Sequence, residues 1–157
     1  MRLWIAAAAA AQLAVVGLAV APQLSSRLTG EDYLMEVRPV DPIDPFRGAY
    51  VNLDYPGLQS AGGSQPPSMD DGERGEVFIQ LVEQDGLWVA ADWRRTRPEE
   101  GPYLACDDHD WAIRCGVESW FASQDRAHEL ERQLAEDGGV ATVRIDAEGN
   151  AVLVDVR

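Results

Sequence analysis

Residues 3–21 are apolar at every position except Gln12, and the rest of the chain has no comparable run. The length is close to the ~20 residues that carry a helix across a bilayer core. Beyond it the pattern breaks into short β-prone runs. Residues 33–40 and 49–55 are predicted strands, as are 76–82 and 87–93, which flank Gln84-Asp85-Gly86. Asp-Gly between two such runs predicts a tight hairpin. Residues 140–145 and 151–156 flank Asp146-Ala147-Glu148-Gly149-Asn150 and predict a second hairpin. Residues 103–106 and 113–121 complete the strand set. One stretch, 124–136, has helical spacing: Ala127, Leu130 and Leu134 recur on one face, Ser123 is placed as N-cap, and Gly138-Gly139 ends it. The expected fold is mainly β (α+β): an N-terminal transmembrane helix, then a mostly antiparallel, curled or barrel-like sheet with one helix near the C-terminus.

The apolar run sets the compartment. It is alanine-rich, so its insertion is less favourable than that of a leucine-rich span. Arg2 precedes it, and Arg27, Glu31 and Asp32 follow, which leans towards a cytoplasmic N-terminus and an extracytoplasmic C-terminus. A cleaved signal peptide competes, because Ala19-Val20-Ala21 offers a small-x-small site. Pro22 directly after that site fits a peptidase cleft poorly, and the run exceeds the ~7–15 residues of a signal core. A buried core helix is the third reading. The chain is therefore read as a membrane anchor (or signal peptide) over 1–24 that contacts the bilayer through 3–21, and an extracytoplasmic β-rich domain over 25–157. Residues 56–75, rich in Pro, Gly, Ser and Gln, are expected to form a flexible loop within that domain.

Charge narrows the function classes. All 27 acidic residues and 12 of the 13 arginines lie beyond the apolar run, a net of −15. Such a surface repels phosphate backbones and anionic lipid, so no nucleic-acid partner is expected. The chain has no lysine. That removes a Walker-A lysine, a Schiff base and a Ser–Lys dyad, and with the dyad a signal-peptidase reading of this layout.

Asp107, Asp108, His109 and Asp110 bring metal-ligand types together, but adjacent residues in a tight loop do not all reach one ion, and no second cluster supports them. No metal or cofactor is expected. His128 falls on the predicted helix without a Ser or Cys nucleophile in any known pattern. Cys106 and Cys115 flank the acidic loop and are expected to form a disulfide across a hairpin in an oxidising compartment.

The densest motif is VDPIDPFRGAYVNLDY, residues 40–55. Asp41-Pro42 and Asp44-Pro45 each join a turn-forming side chain to a fixed φ, Arg47 is placed to bridge either aspartate, and Gly48 permits a bulge. Along a strand, Leu53 and Tyr55 share a face, while Tyr50 and Tyr55 lie on opposite ones. This segment resembles the GDYXXLXY family of bacterial membrane-anchored proteins. Gly48, Tyr50, Leu53 and Tyr55 carry the motif, and Asp41, Pro42, Asp44, Pro45 and Arg47 carry its lead-in. Ala49 replaces the motif's aspartate. Residues 117–121 and the acidic helix with Glu129, Leu130 and Glu131 also fit such a domain. The resemblance implies a membrane-associated role, often beside multi-pass membrane proteins, and transfers no activity.

The reading favoured by these residues is a single-pass cell-membrane protein, not an enzyme, whose exported domain binds or supports a membrane-protein partner. The motif serves first as a stiff corner leading into a strand, and alternatively as a binding rim. Two rival readings are an envelope hydrolase pairing Asp41 or Asp44 with Glu118 and a ligand-sensing envelope domain with an apolar pocket.

Overall fold

The structure is a computed structural model and describes residues 2–40, 50–59, 72–109 and 113–157. Helix α1 (Arg2–Thr29) runs past Pro22, and one residue, Gly30, separates it from strand β1 (Glu31–Pro39). By length and composition Ala8–Thr29 is apolar enough to cross a membrane, and a signal sequence meets the same condition. The helix thus extends beyond the apolar run 3–21 and runs on to Thr29. Its hydroxyls turn back onto it: Ser26 donates to the Pro22 carbonyl (2.8 Å) and Thr29 to the Ser25 carbonyl (3.0 Å).

After β1 come β2 (Tyr50–Asp54), the short helix α2 (Pro56–Gln59), β3 (Glu76–Gln84), β4 (Leu87–Arg94), β5 (Tyr103–Asp107), β6 (Ser119–Phe121), helix α3 (Gln124–Asp137), β7 (Gly139–Ile145) and β8 (Ala151–Val156). All strand pairs are antiparallel, in a five-stranded sheet ordered β6-β2-β1-β7-β8 and a three-stranded sheet ordered β4-β3-β5. Irregular register at Gln80/Leu81 and at Thr142/Val143 adds twist. The two sheets meet where the Ala105 N–H donates to the Gly149 carbonyl (2.9 Å) and the Tyr103 hydroxyl to the Ala147 carbonyl (3.0 Å). The result is a curled, nearly closed, barrel-like wall around one core.

Local chemistry accounts for the elements. In β7 the alternation of Ala141, Val143 and Ile145 faces inward, as period 2 requires. The β3–β4 turn is the predicted two-residue hairpin, with both Asp85 (φ 54°) and Gly86 (φ 83°) left-handed. On α3, Ala127, Leu130 and Leu134 are buried towards β1 and β2. Ser123 occupies the N-cap position but makes no side-chain cap bond; its carbonyl accepts the Ala127 N–H (2.8 Å), as any residue's would.

Two expectations change. The predicted strand 113–121 shrinks to Ser119–Phe121 plus a bridge from Arg114 to Asp107, because the Glu118 carboxylate takes the backbone N–H groups of Cys115 and Gly116 that a ladder would use. Of the expected loop 56–75, Pro56–Gln59 is helical with Leu58 buried, and residues 60–71 lie outside the described set.

Candidate functional site

Strand β2 carries the described half of the motif. Val51, Leu53 and Tyr55 point into the core and are at most 5 % exposed. Leu53 and Tyr55 therefore share a face, as the strand period requires. The Tyr55 hydroxyl donates to the Val117 carbonyl (2.8 Å) inside the core, and the Leu53 N–H donates to the Glu118 carbonyl (2.8 Å). Tyr50 is in register with Phe121 on β6. The motif residues Leu53 and Tyr55 thus clip the segment 117–118 onto β2. Burial, and after it the negative charge of Glu118, pushes the Tyr55 phenol far above its ordinary range. It stays neutral and acts as a donor.

Asp41, Pro42, Asp44, Pro45, Arg47 and Gly48, together with Ala49, lie outside the described residues. Their assignment as corner or rim continues to rest on sequence. Glu118, the carboxylate considered for acid–base work, is engaged by its own loop: it accepts the Cys115 N–H, and both of its oxygens lie 3.1 Å from the Gly116 nitrogen.

The second cluster sits at the start of β3 and the end of β5. Cys106 and Cys115 form the expected disulfide, next to the reciprocal backbone pair Asp107–Arg114 (2.8 Å each way). Within the acidic loop the carboxylates have separate partners. Asp107 accepts the His109 N–H (2.8 Å) and lies 3.2 Å from its ring Nδ1. Asp108 turns inward, 2 % exposed, and pairs with Arg95 at 2.8 Å. It also accepts the Gly75 N–H (2.7 Å) and returns its own N–H to the Gly75 carbonyl (3.0 Å). The Arg95 guanidinium, against the opposing effect of burial and with help from Gly75, holds the Asp108 carboxyl down at about 2.

Arg95 also donates to the carbonyls of Glu73 (2.9 Å) and Glu76 (3.2 Å), so one guanidinium ties the ends of β4 and β5 to the entry of β3. Sequence reasoning missed this clamp. Its one signal was an arginine pair closing a strand, which is common on solvated surfaces. Asp110 lies outside the described residues, and His128 is exposed on α3. No group of three His, Cys, Asp or Glu among the described residues is placed to hold a metal ion. The chemistry available at both clusters is hydrogen-bonding and electrostatic: each locks backbone to side chain.

Comparison with known proteins gives one family. A family model described as GDYXXLXY protein matches residues 12–156. No curated protein and no solved structure matches the chain.

Proposed function

The chain belongs to the GDYXXLXY family, and from that membership we propose that it is a single-pass cell-membrane protein whose extracytoplasmic β domain binds or supports a multi-pass membrane-protein partner. The observation that carries this reading is the exposure of α1. Trp4, Ile5, Leu13, Val15, Val16, Leu18 and Val20 are all exposed, Leu18 by 76 %. In water each would forgo roughly 1.5–3 kcal/mol of burial, so the helix requires an apolar surrounding that this domain does not supply. The domain supports a scaffold role. Its motif residues Leu53 and Tyr55 are committed to the core, and its buried carboxylate Asp108 is committed to Arg95. The lead-in Asp41, Pro42, Asp44, Pro45, Arg47 and Gly48 is proposed as the stiff corner that delivers β2.

N-terminal sequencing of the membrane-extracted protein tests the anchor; a mature chain beginning near Pro22 refutes it. Affinity capture from solubilised membranes, followed by mass spectrometry, tests the partner. A stoichiometric multi-pass protein is expected, and recovery of the bait without one refutes the partner reading. Arg47→Ala separates the two roles of the motif. A lowered melting temperature is expected for a corner, whereas an unchanged melt with lost capture would make the segment the binding rim.

A further inference from the structure

Gln12 stands at the centre of the apolar run 3–21, with nine apolar residues before it and nine after it. At 1.5 Å per residue the run is about 28 Å long, enough for a hydrocarbon core of about 30 Å. With the run in a bilayer, the Gln12 amide lies about 14 Å from either edge. A glutamine side chain is too short to reach water from there, unlike an arginine near a helix end. The amide carries two N–H donors and an acceptor oxygen, and hydrocarbon offers them no partner. The side chain is exposed, and among the described residues it makes no hydrogen bond. Inside a membrane such a group is met by a side chain on a neighbouring helix.

The joint between α1 and the domain fixes which way Gln12 faces. Ser26 is fully buried, and its hydroxyl lies 2.8 Å from the Pro22 carbonyl and 2.9 Å from the Asn150 carbonyl in the β7–β8 turn. The Ser25 hydroxyl bonds the Asp146 carboxylate in the same turn. Arg144 grips both Asp32 oxygens (2.6 and 2.9 Å). Gly30 is the one residue between helix and strand. A Cβ there would lie 2.5 Å from the Ser26 carbonyl oxygen, 2.7 Å from Arg144 Cγ and 2.9 Å from the Ile145 carbonyl carbon, so the chain passes through a slot with no room for a side chain. A helix held this way does not turn freely about its own axis. Gln12 and Ala19 precede Ser26 by 14 and 7 positions. At 3.6 residues per turn that puts them about 40° and 20° from the direction of Ser26. Ala8, 18 positions before Ser26, falls in line with it. Ala8, Gln12 and Ala19 thus share the side of α1 on which Ser26 meets the domain.

We propose that Gln12, between Ala8 and Ala19, is an intramembrane docking site for a transmembrane helix of another protein that presents a hydrogen-bonding side chain at mid-bilayer depth. The two alanines let the partner's backbone come close enough for the amide to be met. A second copy of this chain fits the site less well. It would bring a second exported domain of net charge −15 against the first, and like charge of that size keeps chains apart. A parallel copy on this side would also have to carry its own residues 22–29 past the first domain. The site deepens the partner reading above and rests on α1 being retained in the membrane.

The test is photocrosslinking of the full chain in its native membranes. A diazirine-bearing amino acid replaces, one at a time, Val16 and Ala19, within about 40° of Gln12, and Ala14, about 160° away. Adducts are mapped by peptide mass spectrometry. Positions 16 and 19 are expected to join a transmembrane segment of another protein with a polar side chain near its middle, and position 14 to join lipid. Gln12→Leu should lower the adduct at 19 by about threefold to twentyfold, the range that one interhelical hydrogen bond supplies. Gln12→Asn, which keeps the amide, should retain more of it. An adduct untouched by Gln12→Leu, equal adducts from 14 and 19, a second copy of this chain as the crosslinked species, or lipid at all three positions overturns the site. If affinity capture still recovers a multi-pass protein in that case, the partner reading stands through another surface. If capture recovers none, that reading fails separately. Absence of any lipid or membrane-protein adduct at all three positions removes the anchor, and this site with it.

Discussion

Replacing Tyr55 by Phe isolates what the motif's last tyrosine contributes. The ring stays, and with it the packing of a side chain 5 % exposed. What is lost is the hydroxyl that donates to the Val117 carbonyl at 2.8 Å, where Val117 itself is 1 % exposed. The carbonyl it leaves lies in the core with no access to water, so the cost is the penalty of an unmet buried acceptor, roughly 1–3 kcal/mol, and not the smaller net value of an average bond. For a domain of this size that corresponds to a fall of about 3–12 °C in melting temperature. The assay is thermal unfolding of the full chain in detergent, followed by near-ultraviolet circular dichroism, which reports aromatic packing and to which α1 contributes a single aromatic, the exposed Trp4. Leu53→Ala, expected to cost about 2–5 kcal/mol, serves as the reference for a motif residue that packs without bonding.

A second readout separates the hydroxyl from the ring. The folded phenol is raised above the ordinary value of about 10. Between that value and its folded one, the folded state holds a proton that the unfolded state has lost. Tyr55 therefore contributes fully below pH ~10, and its contribution declines as pH rises beyond it. The Phe variant is expected to show a shallower alkaline decline. An unchanged midpoint together with an unchanged alkaline limb would refute the idea that Tyr55 clips the 117–118 segment to β2.

Removing one partner of the buried Arg95–Asp108 pair, as in Arg95→Ala, strands a buried carboxylate and should cost about 3–5 kcal/mol in urea unfolding. Because the Asp108 carboxyl is held at about 2, below its unfolded value, its contribution is present above pH ~4 and is lost as pH falls towards 2; Asp108→Asn should flatten that acid limb. Cys106 and Cys115 should resist alkylation without reductant, and reduction should lower stability by about 2–3 kcal/mol for a loop of this length. Gly30→Ala should destabilise the helix–strand junction by about 1–3 kcal/mol, since two of the three atoms its Cβ meets are backbone and do not rotate away; an unchanged melt would show the slot to be looser than described.

Much of the local architecture was legible in advance, and for physical reasons. Hairpin turns announce themselves because Asp85-Gly86 and Gly149 accept backbone conformations closed to most residues. Helix α3 announces itself because Ala127, Leu130 and Leu134 must recur on one face to be buried. The disulfide was legible from its position around a polar loop, and the shared inward face of Leu53 and Tyr55 from the period of a strand. The family motif marked β2 as special, while the part of the candidate site at residues 41–49 is still known by sequence alone.

What the sequence by itself determined is thus set by neighbours along the chain: the apolar helix, the strand alternation, the turns and the acidity. What tertiary structure alone decided is set by neighbours in space. Arg95 and Asp108 are 13 positions apart, each one residue past the end of a different strand, and nothing local distinguishes them from solvated charges until β4 and β5 flank β3. Ser26 reads as the polar end of an apolar run until Asn150, 124 positions away, comes within 2.9 Å of its hydroxyl. The order β6-β2-β1-β7-β8 likewise places β1 between strands from opposite ends of the domain. Such pairings are chosen by the burial of a common core, which is a property of the whole fold and is carried by no single segment of it.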